Sequence, residues 1–140
     1  MAKIVFDASS IVGALLKQGS VPERALLLAR SNDTVCLSVE VEAEIRDVLN
    51  RPKFARYLPG SRVERILELI TAAAIKVATI NSVTDCRDTK DNKYLELALA
   101  ADAEFIIASD NDLLALDPWR GIRIITLSEY VSRFESEGSQ

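Results

Sequence analysis

The sequence predicts a single α/β domain, with a mostly parallel sheet covered by helices on both faces. Three observations carry this. Short Val- and Ile-rich segments alternate with helix-length segments along the whole chain. The strand candidates are continuously apolar rather than alternating, the pattern of strands buried on both faces. The chain has 140 residues, 49% of them hydrophobic, with no internal repeat or linker, which suits one domain with a substantial core.

Taken in order, Ile4-Val5-Phe6 reads as a short buried strand ending at Asp7. Ser9 or Ser10 is the candidate cap of the helix that follows, to about residue 17. Gly19 marks a break, and Pro22 suits the first turn of a helix to about residue 30. Residues 35–37 are a second strand, and Ser38 caps a helix to about residue 50. Arg51-Pro52 and Pro59-Gly60 punctuate a short segment before a longer helix over 61–75, and 74–79 is a weaker strand. Residues 81–90 are polar and read as a loop. A helix follows over 91–101, then a strand over 104–108 that ends at Ser109-Asp110. A short helical stretch over 111–116 precedes Asp117-Pro118. A last strand spans 122–126, and Ser128 opens a final helix. The domain is expected over 1–134, with 135–140 as a frayed polar tail.

Composition removes several function classes. The chain has no histidine, so imidazole is unavailable as base, metal ligand or pH switch. Its five glycines are scattered and form no phosphate loop. No apolar run reaches about 18 residues, so no bilayer-spanning helix is expected. Asp7 interrupts the apolar opening, which reads as strand and helix rather than a signal peptide. Cys36 and Cys86 are isolated and suggest no disulfide framework, which points to a reducing cytoplasm. The net charge of −4 argues against nucleic-acid binding by the whole surface. Residues 46–65, however, carry Arg46, Arg51, Lys53, Arg56, Arg62 and Arg65 against Asp47 and Glu64. That stretch is either a local basic face or an ordinary solvated helix surface.

The acids are informative by placement. Asp7 and Asp110 follow buried strands immediately, or nearly so, where ligand sites of open parallel sheets lie, although Asp in such places also caps helices. Asp91 shares a helix face with Leu95, Ala98 and Asp102, at i, i+4, i+7 and i+11. It therefore points toward the core side. The helix dipole offers a carboxylate there ~0.3–1 kcal/mol, small against the several kcal/mol of burying an unpaired charge. The imbalance favours a partner, a cation, a metal or an Arg, over a dipole-stabilised surface Asp. Glu44 borders the apolar stripe of Val41, Ile45, Val48 and Leu49, where it is a ligand or a solvated border residue. Asp112 stands two residues after Asp110 and can join the same cluster. Asp88 lies in the polar loop, and Asp117 reads as a turn residue. Oxygen-only ligation by clustered acids, without His or Cys ligands, selects hard ions such as Mg²⁺ or Mn²⁺. Bound ions of that kind activate water and steady a phosphoryl oxygen.

These residues resemble the PIN-domain ribonuclease family, particularly the toxin subunits of VapBC-like toxin–antitoxin pairs. The likeness runs over about 4–130. Asp7-Ala8-Ser9 resembles the first acidic motif of the family. The run from Ser38 through Glu44 to Leu49, with Arg51-Pro52-Lys53-Phe54, resembles the second. Cys86-Arg87-Asp88-Thr89-Lys90-Asp91-Asn92-Lys93 resembles the third, and Ser109-Asp110-Asn111-Asp112 the fourth. The resemblance implies a twisted, mostly parallel sheet of about five short strands between helices. It makes Asp7, Glu44, Asp91 and Asp110 the metal-binding and catalytic acids, Asp112 an auxiliary ligand, and Ser9 a polar group that positions Asp7. Many relatives carry Asn at the place of Ser9. It further implies an RNA substrate, a Mg²⁺ or Mn²⁺ cofactor, a homodimer and a silencing antitoxin. Two other readings compete. One is a noncatalytic PIN-like module that binds RNA or protein, against which the full set of acids argues. The other is a different acidic α/β protein, a phosphatase or phosphoreceiver. The former would want Asp at the place of Ser9, and the Lys and Thr motifs of the latter are not evident.

Overall fold

The computed structural model describes residues 2–17, 19–55 and 60–138. Its elements in chain order are β1 (Lys3–Phe6), α1 (Ala8–Leu16), α2 (Val21–Asn32), β2 (Thr34–Leu37), α3 (Val39–Leu49), α4 (Pro52–Ala55), α5 (Gly60–Ala73) and β3 (Ile75–Lys76). After a 3₁₀ turn (Thr89–Asp91) come α6 (Asn92–Ala101), β4 (Phe105–Ile107), α7 (Asn111–Leu114), β5 (Arg123–Ile125) and α8 (Leu127–Gly138). The five strands form one sheet in the order β3-β2-β1-β4-β5, and every neighbouring pair is parallel. The α/β class and the parallel sheet read from the sequence are therefore borne out.

The central strand explains why its sequence is apolar throughout. Ile4, Val5 and Phe6 are all buried, with Val5 paired to Ile106 and Phe6 to Ile107. Both faces of β1 meet helices, so neither tolerates a polar residue. At the far edge β3 shrinks to two exposed residues, shorter than the strand expected over 74–79. The Val77 N–H still bonds the Leu37 carbonyl at 2.8 Å. An edge strand that is short and carries Lys76 resists further pairing.

Local chemistry sets the helix starts. Asp7, not Ser9 or Ser10, caps α1: its side chain accepts from the Ser10 N–H. Ser20 and Ser38 cap α2 and α3 by accepting from Glu23 and Val41. Gly13 lets α1 and α2 approach, since a Cβ there would lie 3.2 Å from Pro22 Cγ. Helix α6 starts at Asn92, near the expected place, so Asp91 sits at its boundary, in the 3₁₀ turn. Leu95, Leu97 and Ala98 anchor α6 in the core. Asp102, at a left-handed φ of 55°, ends it.

Helix α8 continues to Gly138, through residues expected as a frayed tail. Tyr130 and Val131 are buried, Phe134 meets Tyr130 edge-on at 5.2 Å, and Glu135 pairs with Arg24 at 2.8 Å. These contacts hold the last turns to the body. Cys36 and Cys86 are free and buried. In the basic stretch, Arg46 pairs with Glu64 at 2.8 Å and Arg51 with Asp47 at 3.5 Å. Arg56 and Pro59 lie outside the described residues. Among the described residues, no helix is long and apolar enough to cross a membrane.

Candidate metal centre

The chain leaves β1 toward β2 on one side and returns through β4 on the other. The reversal of winding opens a crevice at the carboxyl ends of β1 and β4, where open α/β sheets bind ligands. Asp7 follows β1, and Ser109-Asp110 follow β4.

Asp7 is 3% exposed and both of its oxygens are engaged. Oδ1 accepts from the Ser10 N–H at 2.8 Å; Oδ2 accepts from the Ser109 N–H at 2.9 Å and from the Ser109 hydroxyl at 3.3 Å. Its own N–H donates to the Ile107 carbonyl at 3.0 Å. The residue thus caps α1 and ties the loop after β4 to the end of β1. Tyr94 adds a second tie. Its buried hydroxyl accepts from the Ala8 N–H at 3.0 Å, joining α6 to the start of α1.

Asp91 and Asp110 meet Asp88. One carboxylate oxygen from each lies within 4.8 Å of the other two. Asp88 is brought in by its loop: Asn92 Oδ1 accepts from the Cys86 N–H at 2.8 Å, and Asp88 Oδ1 accepts from the Lys90 N–H at 3.1 Å. Asp110 Oδ1 caps α7 through the Asp112 N–H at 2.7 Å. Asp91 Oδ2 is buried with no hydrogen-bond partner. Burial, the carboxyl of Asp110, and the charges of Asp88 and Asp7 push its pKa up to about 7.

Asp7, Glu44 and Asp112 lie outside that triplet but near it. Asp112 is half-buried beside Asp110. Glu44 accepts from Lys93 Nζ at 2.6 Å. Ser9 is exposed and lines, with Glu44, a groove of about 280 Å³ whose apolar walls include Val12, Leu16, Val48 and Phe54. The donors that hold Asp7 belong to Ser10 and Ser109.

Three side chains that shape the site carry no acid and were not singled out from the sequence: Tyr94, Lys93 and Ser109. Ser109 stands beside Asp110 at a strand end, and that adjacency was its available signal. Tyr94 reads as an ordinary core aromatic, since its partner is 86 residues away.

The donor set fits a hard divalent cation. It is all oxygen, it is built on three convergent carboxylates, and one of its oxygens is buried without a partner. Such a group is expensive to leave uncompensated, and a cation compensates it. The arrangement suits metal-assisted hydrolysis of a phosphodiester.

Comparison with known proteins bears on the family and the fold. The chain is 29% identical over 145 residues, 95% of its own length and 92% of the relative's, to the uncharacterised protein MJ1680 of Methanocaldococcus jannaschii. Its fold is similar to that of VapBC2 from Rickettsia felis, solved bound to a promoter DNA fragment. The TM-score is 0.61 at 14% identity, over 89% of this chain and 98% of that one. VapC20 of Mycobacterium tuberculosis, a toxin that cleaves the sarcin–ricin loop, is similar at a TM-score of 0.55 and 13% identity, over 86% and 98% of the two chains. The model of the PIN domain family matches residues 3–112, which cover the two strand-end acids, α3 and the whole acidic loop, and the chain therefore belongs to the PIN domain family.

Proposed function

We propose that the protein is a metal-dependent endoribonuclease, the toxin half of a toxin–antitoxin pair. The observation that carries this is the buried, unpartnered Asp91 Oδ2 inside the Asp88–Asp91–Asp110 triplet. In a soluble fold that oxygen is a liability unless a cation meets it. Asp91 and Asp110 would hold the ion, with Asp88 completing the triplet. Asp7 fixes the crevice, and Glu44 and Asp112 complete the acidic rim. The ion, Mg²⁺ or Mn²⁺, supplies an activated water and charge for the phosphoryl oxygens. The chain's own residues orient it: Asp7 is clamped by Ser10 and Ser109, so the two strand ends keep a fixed spacing. Burial and the neighbouring acids push the Asp91 carboxyl up to about 7, so it would release a proton in order to serve as a ligand.

The groove that shares Glu44 supports the antitoxin half of this reading. Its apolar walls, with Arg51 and Lys53 among the lining residues, suit a segment of a partner protein that covers the acids. Buried free thiols at Cys36 and Cys86 support a reducing, cytoplasmic setting. The toxin reading further implies a homodimer, which light scattering on the purified chain reads directly.

The test is cleavage of defined RNAs with Mg²⁺, Mn²⁺ or EDTA. The parent is expected to cut only with metal. Asp91→Asn and Asp7→Asn are each expected to lose cleavage. Either variant cutting at the parent's rate sinks the assignment, and a parent that binds RNA without cutting it favours the noncatalytic module.

A further inference from the structure

The loop that carries Asp88 has no regular structure of its own. Residues 78–88 form no strand or helix, so individual contacts set the course of its backbone. Two of them come from α6, the helix that follows. Glu96 Oε2 accepts from the Val83 N–H at 2.9 Å, and Asn92 Oδ1 accepts from the Cys86 N–H at 2.8 Å. A third comes from the connection between β4 and β5. Asp85 Oδ2 accepts from the Trp119 indole N–H at 2.8 Å and from Arg120 Nη2 at 3.4 Å.

Trp119 is a firm anchor. It is 6% exposed, and its backbone N–H and carbonyl pair with those of Ile122 at 2.8 Å in both directions. The Arg120 guanidinium lies over its ring at 4.7 Å. Behind it, Asp117 Oδ1 accepts from the Ile124 N–H at 2.8 Å and fastens the turn to β5. The two donors to Asp85 are unequal. Arg120 is 52% exposed and stands at the longer distance, and an ion pair of that kind contributes little. The indole N–H is short, sheltered and bonded to a charged acceptor, so it carries the contact.

This bond spans the acidic triplet from outside. Asp85 shortly precedes Asp88 in the loop, and Trp119 follows Asp110 through α7 in the β4–β5 connection. Converging carboxylates repel when no cation lies between them, and that repulsion drives the Asp88 loop away from Asp110. We propose that Asp85, fastened to the Trp119 indole, is a positioning residue that holds the loop closed, so that Asp88 meets Asp91 and Asp110 before any ion arrives. This rests on the metal-dependent reading above. A site assembled in advance binds its ion more tightly, because the ion need not gather its ligands. By linkage, a bound ion tightens the indole bond by the same factor.

The chain has one tryptophan, so its indole N–H gives a single resonance to follow. The experiment uses the full chain, stripped with EDTA. Calorimetry reads Mn²⁺ and Mg²⁺ affinity, and proton magnetic resonance reads solvent exchange of the indole N–H with and without Mg²⁺. Asp85→Ala is expected to weaken ion binding about tenfold, and Trp119→Phe, which removes the donor and keeps an aromatic ring, by a similar factor. Asp85→Asn keeps an oxygen that accepts from the indole and is expected to stay within about threefold of the parent. In the parent, saturating Mg²⁺ is expected to slow indole exchange about tenfold. A contact that merely stabilised the fold would move the melting temperature and leave ion affinity alone. Parent-like affinity in a folded Asp85→Ala, or indole exchange that saturating Mg²⁺ leaves unchanged, overturns the proposal. The exchange measurement needs no variant, so it decides the matter should Asp85→Ala or Trp119→Phe fail to fold. A parent that binds no ion overturns the metal-dependent reading itself, whereas a parent that binds ions with an indifferent indole overturns only the role of Asp85.

Discussion

Replacing Asp91 by Asn is expected to stabilise the metal-free protein while destroying its metal site. The side chains are close in volume, so packing changes little. What changes is the charge. In the folded chain burial and the neighbouring acids push the Asp91 carboxyl up to about 7, against about 3.9 for a free aspartate. Between those two pH values the native state keeps a proton that the unfolded state has lost. Native stability therefore falls as pH rises from about 4 to about 7, and stays low above it. A displacement of that size corresponds to about 4 kcal/mol at full strength. Asp91 is half-buried, so solvent screens part of this and about 1–2 kcal/mol is the working expectation. In a domain of this length that moves the melting temperature by about 3–8 °C. The assay is thermal unfolding in EDTA at several pH values. The variant should melt above the parent at pH 8, with the gap closing toward pH 4. With Mn²⁺ added the order should shrink or reverse, because only the parent gains from the ion. A variant that melts at or below the parent in EDTA at pH 8, with no pH trend in the gap, refutes the picture of an uncompensated acid.

Other outcomes follow from the same contacts. Asp7→Asn should cost stability, by about 1–3 kcal/mol in denaturant titration, because an amide cannot accept at Oδ1 from Ser10 without turning its NH₂ toward the Ser109 N–H; a variant as stable as the parent contradicts the clamp. Mn²⁺ affinity should fall about tenfold per pH unit below pH 7, where the ion must displace a proton from Asp91, and flatten above it; calorimetry in buffers of different ionisation enthalpy counts that proton. Asn92→Ala leaves the Cys86 N–H without its acceptor and loosens the turn that carries Asp88. It should weaken Mn²⁺ binding several-fold at a stability loss of about 1–3 kcal/mol, and unchanged Mn²⁺ affinity would place Asp88 outside the ion's reach.

The sheet and its helices were legible because burial on both faces leaves a direct mark on the sequence: continuous apolar strands between capped helices. Asp91 was legible because the helix period aims it at the core, and the structure leaves its Oδ2 buried without a partner. Asp110 and Asp7 were legible as strand ends. The helix start near Asp91 was legible, but the 3₁₀ turn that Asp88 caps before it was not, since side-chain geometry rather than periodicity settles it. Asp88 itself looked like any loop acid, since its place depends on the Asn92–Cys86 bond. Lys93 and Tyr94 were invisible for a related reason. Their partners, Glu44 and Ala8, are distant in sequence, and a pairing between helices has no local period. The last turns of α8 were missed because Glu135 reads as solvated until Arg24 is beside it.

The two strand-end and loop acids differ in what their loss does to the chain. Asp7 is a joint of the fold, closing the start of α1 and the loop after β4 with its two oxygens. Asp91 keeps one oxygen buried without a partner beside the Asp110 carboxyl, so its charge is a cost to the fold. A lineage drifting toward an inert scaffold would thus shed Asp91 at no structural expense, even at a gain, while Asp7 would persist for mechanical reasons alone. In this architecture an intact first aspartate is weak testimony of a working nuclease, and an intact Asp91 is strong testimony, since only the chemistry gives it a reason to stay.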